Sequence, residues 1–274
     1  MLYPNGLYHM LGDPNAYYFL GHRNSCAYIS VFLAFFTCLK SSYISKKIDV
    51  LAIISIAISV VTVIAVWSAT CITALLFAIV FYILQSTKAS KAFTATNTFI
   101  LSLLISSFII FSPFVRYLSF WVEGVLGKNL TLSSRTYLWQ KAIQYIKQSP
   151  IYGYGIEDTQ VIYTKFTLYH LHNTWLEYFY LGGVVTLLFV SILVLMATIN
   201  VDTGTNDVYH RMTKTFYAFY MIWCIGEAST VGLGMNFLML LSLLSYDINR
   251  HSFDGGYHAL QSSNRSPLRF NTSN

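Results

Sequence analysis

The chain has 274 residues, of which 55% are hydrophobic and only 10% charged, with 17 Lys and Arg against 11 Asp and Glu for a net charge of +6. A soluble domain carries about 25% charged residues, so this composition cannot cover a water-facing surface and excludes both an ordinary soluble enzyme and a disordered chain. The positive balance is read as the Lys/Arg bias of cytoplasmic loops. Nucleic acid is not expected as a partner, since no basic helix or stacking platform is present.

Residues 1–22 hold no Lys or Arg and are broken by Pro4, Gly6, Gly12, Asp13 and Pro14, so no signal peptide is read there. A helix needs about 20 largely apolar residues to cross a bilayer. The first span is expected over Asn24–Leu39 and the second over Val50–Trp67. A tight turn at Ser68–Thr70 leads to the third, Cys71–Leu84, and the fourth is Thr98–Phe114. A long polar segment fills 115–173, and the fifth span is Thr174–Ile199. A polar loop at Asn200–Thr215 precedes the apolar block Phe216–Tyr246. That block is too long for one span; Gly226, Gly232 and Gly234 divide it into two short spans or a re-entrant hairpin.

The expected architecture is an all-α, polytopic transmembrane helical bundle of about seven spans. It forms one membrane domain over 1–246, with an outer loop at about 115–173 and a polar cytoplasmic tail at 247–274. Orientation follows from the short loops: Lys40, Lys46, Lys47, Lys88, Lys91, Arg211 and Lys214 fall on one side, and the short segments opposite carry only Arg23. The 115–173 segment therefore faces outwards. A chain that begins outside without a signal is read as lacking upstream spans. Cys26, Cys38, Cys71 and Cys224 all lie in apolar stretches and read as small core residues, with neither disulfide nor zinc expected.

The outer segment carries the chemistry. Ser134 is a plausible N-cap. Leu138, Trp139, Ala142, Ile143 and Ile146 form one apolar stripe, with Lys141, Gln144, Lys147 and Gln148 opposite. This predicts an amphipathic helix on the membrane surface that stops before Pro150. Arg135 shares the apolar face, either as a snorkelling anchor or as a bidentate grip on phosphate. Gly153 and Gly155 permit a tight turn and close backbone approach, and no Gly-Lys-Ser/Thr follows to make a Walker loop. Glu157 and Asp158 read as a solvated tip. His170 and His172 alternate in an extended stretch and so share a face. A histidine there is a natural general base; an interfacial pair and half a metal site remain open. No third ligand has motif spacing, so no metal is expected. Asn173 would fix the histidine's tautomer or bind a sugar hydroxyl, and Glu177, one turn later, is an acid entering the membrane. Arg23 and Asn24 at the mouth of the first span, the Trp67–Thr70 turn and Glu227 join the same side. Two arginines, several histidines and several amides at one surface suit an anionic lipid headgroup bearing sugars.

The order Arg135, Trp139, Ser149-Pro150-Ile-Tyr-Gly153-Tyr-Gly155, His172-Asn173-Thr-Trp-Leu176-Glu177 and Gly182-Gly183 resembles the C-terminal signature of the O-antigen ligase and Wzy-type polysaccharide polymerase superfamily. The match covers about 130–190. Gly21–Asn24 and Trp67–Thr70 look like earlier motifs of Gram-positive capsule polymerases. The resemblance implies a metal-independent membrane glycosyltransferase with a GT-C-like fold and no cofactor. Its donor would be an oligosaccharide on undecaprenyl pyrophosphate. Its product would be capsular or exopolysaccharide, made at the outer face of the bacterial plasma membrane. It would work beside a flippase and a chain-length regulator. Arg135 becomes the phosphate clamp and His172 the base, with Arg23 a second clamp. Asn24, Asn173, Glu177, His170, Gly153 and Gly155 fall on the substrate side. Ligation to another acceptor shares these motifs. A lipid-linked glycan transporter is disfavoured because no halves match, and a non-catalytic remnant is suggested by the absent upstream spans.

Overall fold

The computed structural model describes residues 8–9, 16–18, 21–111, 131–203 and 207–228. The tail at 247–274 and the second half of the last apolar block lie outside the described residues. Three short strands, β1 (Tyr8–His9), β2 (Ala16–Tyr18) and β3 (Gly21–His22), pair antiparallel in the order β1-β2-β3. Tyr17 sits opposite both Tyr8 and His22. All the other regular structure among the described residues is helical.

The helices are α1 (Arg23–Ser45), α2 (Val50–Ala65), α3 (Ala69–Leu84), α4 (Ala95–Phe111), α5 (Thr131–Ile146), α6 (Thr159–Phe166), α7 (Thr174–Asp202) and α8 (Val208–Gly226). Short polar residues set the starts of α2, α6, α7 and α8 by accepting orphan N–H groups. Asp49 takes Ala52 N at 2.8 Å, Asp158 takes Gln160 N at 2.7 Å, Asn173 takes Leu176 N at 3.0 Å and Asp207 takes His210 N at 2.9 Å. The Asp207 cap begins α8 eight residues before the expected apolar block, so most of the expected 200–215 loop is helix. Among the described residues, only α1 and α7 are long and apolar enough to cross a membrane by themselves. Helices α2 and α3 have 16 residues and α4 has 17, about 24–26 Å at 1.5 Å per residue, a little short of the bilayer core.

Helix α8 is the central post, packed against α1, α3, α4 and α7. Its residues Phe216 to Met221 are fully buried, with Phe32 and Phe35 of α1 against Phe216 and Phe219. Outward faces are apolar and exposed: Ile53, Ile58 and Val61 on α2, Leu76 and Val80 on α3, Leu188, Phe189 and Ile192 on α7. Water would not tolerate this much contiguous apolar surface, whereas lipid does. Buried polar groups lock the bundle. Asp202 at the end of α7 caps α4 by accepting Ala95 N and Thr96 N, both at 2.9 Å, and Gln85 donates to Thr215 Oγ1 at 2.9 Å.

Helix α7 breaks at Gly182–Gly183, where Gly183 has φ +61°. The Pro150–Gly155 loop docks into the break: Tyr154 N and Gly155 N donate to the Tyr180 and Leu181 carbonyls at 3.0 and 2.7 Å, and Val184 N donates to Pro150 O at 2.9 Å. The loop thus satisfies backbone groups that the break frees. A Cβ on Gly183 would lie 2.2 Å from the Ile151 backbone, and one on Gly153 would lie 2.5 Å from Tyr180 O. Glu157 is no solvated tip: it pairs with Lys165 and accepts from the Tyr180 hydroxyl, while Lys165 Nζ sits 4.4 Å from the Tyr154 ring centroid.

The amphipathic stripe of α5 also has another partner than expected. Leu138, Trp139, Ala142 and Ile146 bury against Phe166, Leu171, Leu176 and Tyr180, forming a second core with α6 and α7. Burial against protein satisfies the stripe, so it does not need the bilayer. The helix begins at Thr131, which places Ser134 inside it and not at its cap.

Candidate functional site

The first residues of α1, the α2–α3 turn, the segment before α7 and the end of α8 meet at one end of the bundle. Glu227, the residue that closes α8, is their common point. Its carboxylate is buried. Asn24 Nδ2 donates to Oε1 at 2.9 Å, Arg135 Nη2 lies 3.6 Å from Oε1, and His172 Nδ1 lies 3.3 Å from Oε2. Ser68 of the α2–α3 turn steadies Asn24, donating to its Oδ1 at 3.1 Å. Gly226 fits α8 tightly against α3: a Cβ there would come within 2.8 Å of the Thr70 side chain.

The histidine turn is clamped from several sides. Trp139 Nε1 donates to Leu171 O at 2.8 Å, and Leu171 N donates to Glu177 Oε2 at 3.2 Å. Asn173 Nδ2 donates to Ile225 O at 3.0 Å and to Ser106 Oγ at 3.2 Å, while Thr174 Oγ1 donates to Glu227 O at 2.7 Å. His172 adopts φ +51°, an uncommon left-handed conformation for a side-chain-bearing residue. Such geometry persists where the surroundings fix it, and here it turns the chain into the α7 cap. The His170 and His172 rings lie 4.0 Å apart between centroids. Arg135 and Trp139 stand one turn apart on α5. The grip of Trp139 on Leu171 therefore delivers Arg135 beside His172, which is a physical reason for that spacing.

Electrostatics follow from this packing. Burial lowers His170 to about 4, helped by the neighbouring His172, so its imidazole is uncharged at neutral pH. Burial pushes the Glu227 carboxyl up, but the hydrogen bond and charge of His172 and the charge of Arg135 outweigh it, and the net shift is down. Glu227 is thus an ionised, buried carboxylate. One ring nitrogen from each of His170 and His172 and a Glu227 oxygen lie within 4.8 Å of one another. The sequence lacked a third ligand at motif spacing; the fold supplies one from the end of α8.

The other expected site residues divide. Arg135, His170, His172 and Asn24 come together around Glu227. Asn173 and Glu177 are buried and hold the backbone of the turn, so their polar groups are engaged within the protein. Gly153 and Gly155 sit against the break in α7. Arg23 opens α1 beside Asn24, and its buried Nε has no hydrogen-bond partner among the described residues. The residue under-read in the sequence is Glu227. Its pairing with Asn24 spans 203 positions and its pairing with His172 spans 55, and no local pattern signals either.

The family model described as O-antigen ligase matches residues 25–191, more than half of the chain. The chain belongs to the O-antigen ligase family. Its members are membrane proteins that act on lipid-linked polysaccharide, which fits the apolar outer faces of this bundle. One relative is the exopolysaccharide production protein ExoQ of Rhizobium meliloti (strain 1021), 30% identical over 89 residues. That match covers 28% of this chain and 20% of ExoQ, so the chain spans a fifth of that relative's length. No solved structure matches the chain. The family match includes Arg135, the glycine loop and the histidine turn but ends before Glu227.

Proposed function

We propose that the protein transfers an oligosaccharide from undecaprenyl pyrophosphate to a sugar hydroxyl on another lipid-linked repeat unit. The product is capsular or exopolysaccharide, built at the outer face of the bacterial plasma membrane. The observation that carries this reading is the contact of His172 Nδ1 with Glu227 Oε2, 3.3 Å apart, beside Arg135.

An ionised Glu227 holds the proton of His172 on Nδ1, leaving Nε2 as an acceptor. The acceptor sugar's oxygen attacks the anomeric carbon while Nε2 takes its proton. The bond from that carbon to the pyrophosphate oxygen breaks, and its electron pair leaves with the lipid pyrophosphate. A positioned base contributes roughly 10²–10⁴ in rate. Arg135 meets Glu227 through Nη2; its guanidinium would also face the phosphate oxygens, where cationic donors stabilise the leaving charge. Arg23, with its unpartnered Nε, is the second cation. The bilayer supplies the donor from the side and raises its effective concentration. A flippase and a chain-length regulator complete the pathway.

Ligation to a different acceptor uses the same residues, and the family's name favours it. The name of the ExoQ relative favours polymer. Restoring a deletion strain with wild type or with His172→Ala separates these readings. Under polymerisation, wild type returns long surface glycan and the variant leaves single repeat units on lipid. Normal polymer that is merely unattached to its final acceptor in the variant would assign ligation.

A further inference from the structure

We infer that His170, His172 and Glu227 form a binding site for a divalent transition cation, zinc being the best fit, and that its occupancy switches the transferase off. Two imidazoles and one carboxylate are the donor set of open zinc sites, which keep a fourth position for water. Zinc bonds of about 2.0–2.1 Å in tetrahedral geometry separate neighbouring donors by about 3.3 Å. His172 Nδ1 and Glu227 Oε2 already stand 3.3 Å apart. All three donors lie within 4.8 Å, so His170 closes the site by a ring movement of no more than about 1.5 Å. A second observation supports a ligand there. His170 Nδ1 is buried and has no hydrogen-bond partner among the described residues, an arrangement that native proteins seldom leave without a reason.

The surroundings grade the affinity. Asn24 donates to Glu227 Oε1, leaving Oε2 for the metal, as outer-shell partners of ligating carboxylates do. Arg135 lies 3.6 Å from that same Oε1, and its charge opposes a cation. The site should therefore bind zinc more weakly than a structural zinc site does and not hold it permanently. Inhibition rests on the role of His172 proposed above; binding does not. A metal on Nδ1 leaves the ring's remaining proton on Nε2, the atom that must accept the sugar's proton.

Zinc titration of the purified full chain in detergent micelles, read by calorimetry, tests the site. One zinc per chain is expected. His170→Ala and Glu227→Gln should each weaken binding by more than about 100-fold, and Asn24→Ala by roughly tenfold, as for an outer-shell partner. His210→Ala, a histidine paired with Asp207 at the opposite end of α8, controls for general loss and should bind as wild type does. Unchanged binding in both ligand variants, or none in wild type, overturns the site. Transfer assays with and without zinc test the switch: wild type should slow in proportion to occupancy. The ratio of the two rates in His170→Ala should stay near one, whatever its starting rate. Binding without inhibition removes His172 as the base and leaves the metal site standing; absence of binding does the reverse.

Discussion

In the mechanism proposed above, the chemistry turns on Arg135 and Glu227. Arg135→Lys keeps the charge but loses the planar fork. It should lower transfer by about 10²-fold, the scale of losing one charge-stabilising donor; full activity would reduce Arg135 to an anchor. Glu227→Gln keeps the shape yet no longer fixes the proton on His172 Nδ1. Where a carboxylate orients a catalytic histidine, the amide costs up to about 10⁴, and here we expect at least about 10² in turnover with little change in KM. A rise in KM alone would contradict a positioning role. The pH dependence of stability in metal-free protein has a definite sign. His22, His172, Arg135 and Glu227 all face His170, whose value is lowered to about 4 from an ordinary 6.5. Between those values the unfolded chain binds a proton that the folded chain refuses, so stability is present above about pH 6.5 and is lost as pH falls towards 4. Glu227, also lowered, acts in the same direction below its ordinary range. Melting temperature in detergent should drop between pH 7 and 5, less so in His170→Gln. A rise on acidification would contradict the packing described.

At the scale of elements, the break in α7 and the loop that fills it form one unit. Gly183→Ala sets a Cβ 2.2 Å from the Ile151 backbone at φ +61°, and backbone cannot yield as a flexible side chain does. That variant should fail to accumulate in membranes. Gly155→Ala also has positive φ but meets nothing within 4 Å, so it should cost only the left-handed strain of about 1–2 kcal/mol. Equal expression of the two would contradict the docking. The start of α7 was legible in the sequence because Asn173 is a strong cap ahead of a long apolar run. The stripe of α5 was legible too, but not its partner: periodicity reports that a face is apolar, not whether lipid or protein covers it. Gly153 and Gly155 were legible as a turn. That the turn docks into a helix break depends on Gly182–Gly183, some thirty residues away.

At the scale of the molecule, composition alone announced a membrane protein, since a tenth of the residues being charged cannot clothe a soluble surface. The membership of the site was half legible. Arg135, His170, His172 and Asn24 were each marked by chemistry and position, but the carboxylate that gathers them closes the last described helix, and only the packing of α8 through the centre of the bundle brings it there. If transfer uses only the side chains assigned in the proposed mechanism, EDTA should leave turnover intact or raise it. A loss restored by a divalent ion would contradict metal-independent transfer.

The most direct test of the central claim is a reconstituted transfer reaction. The full chain in lipid vesicles is given an undecaprenyl-pyrophosphate-linked repeat unit, and release of undecaprenyl pyrophosphate is followed alongside glycan length. Wild type should release the carrier in step with chain growth, and His172→Ala, folded and inserted to the same level, should fall by roughly 10²–10⁴. Carrier release and chain growth in His172→Ala at the wild-type rate would contradict the account.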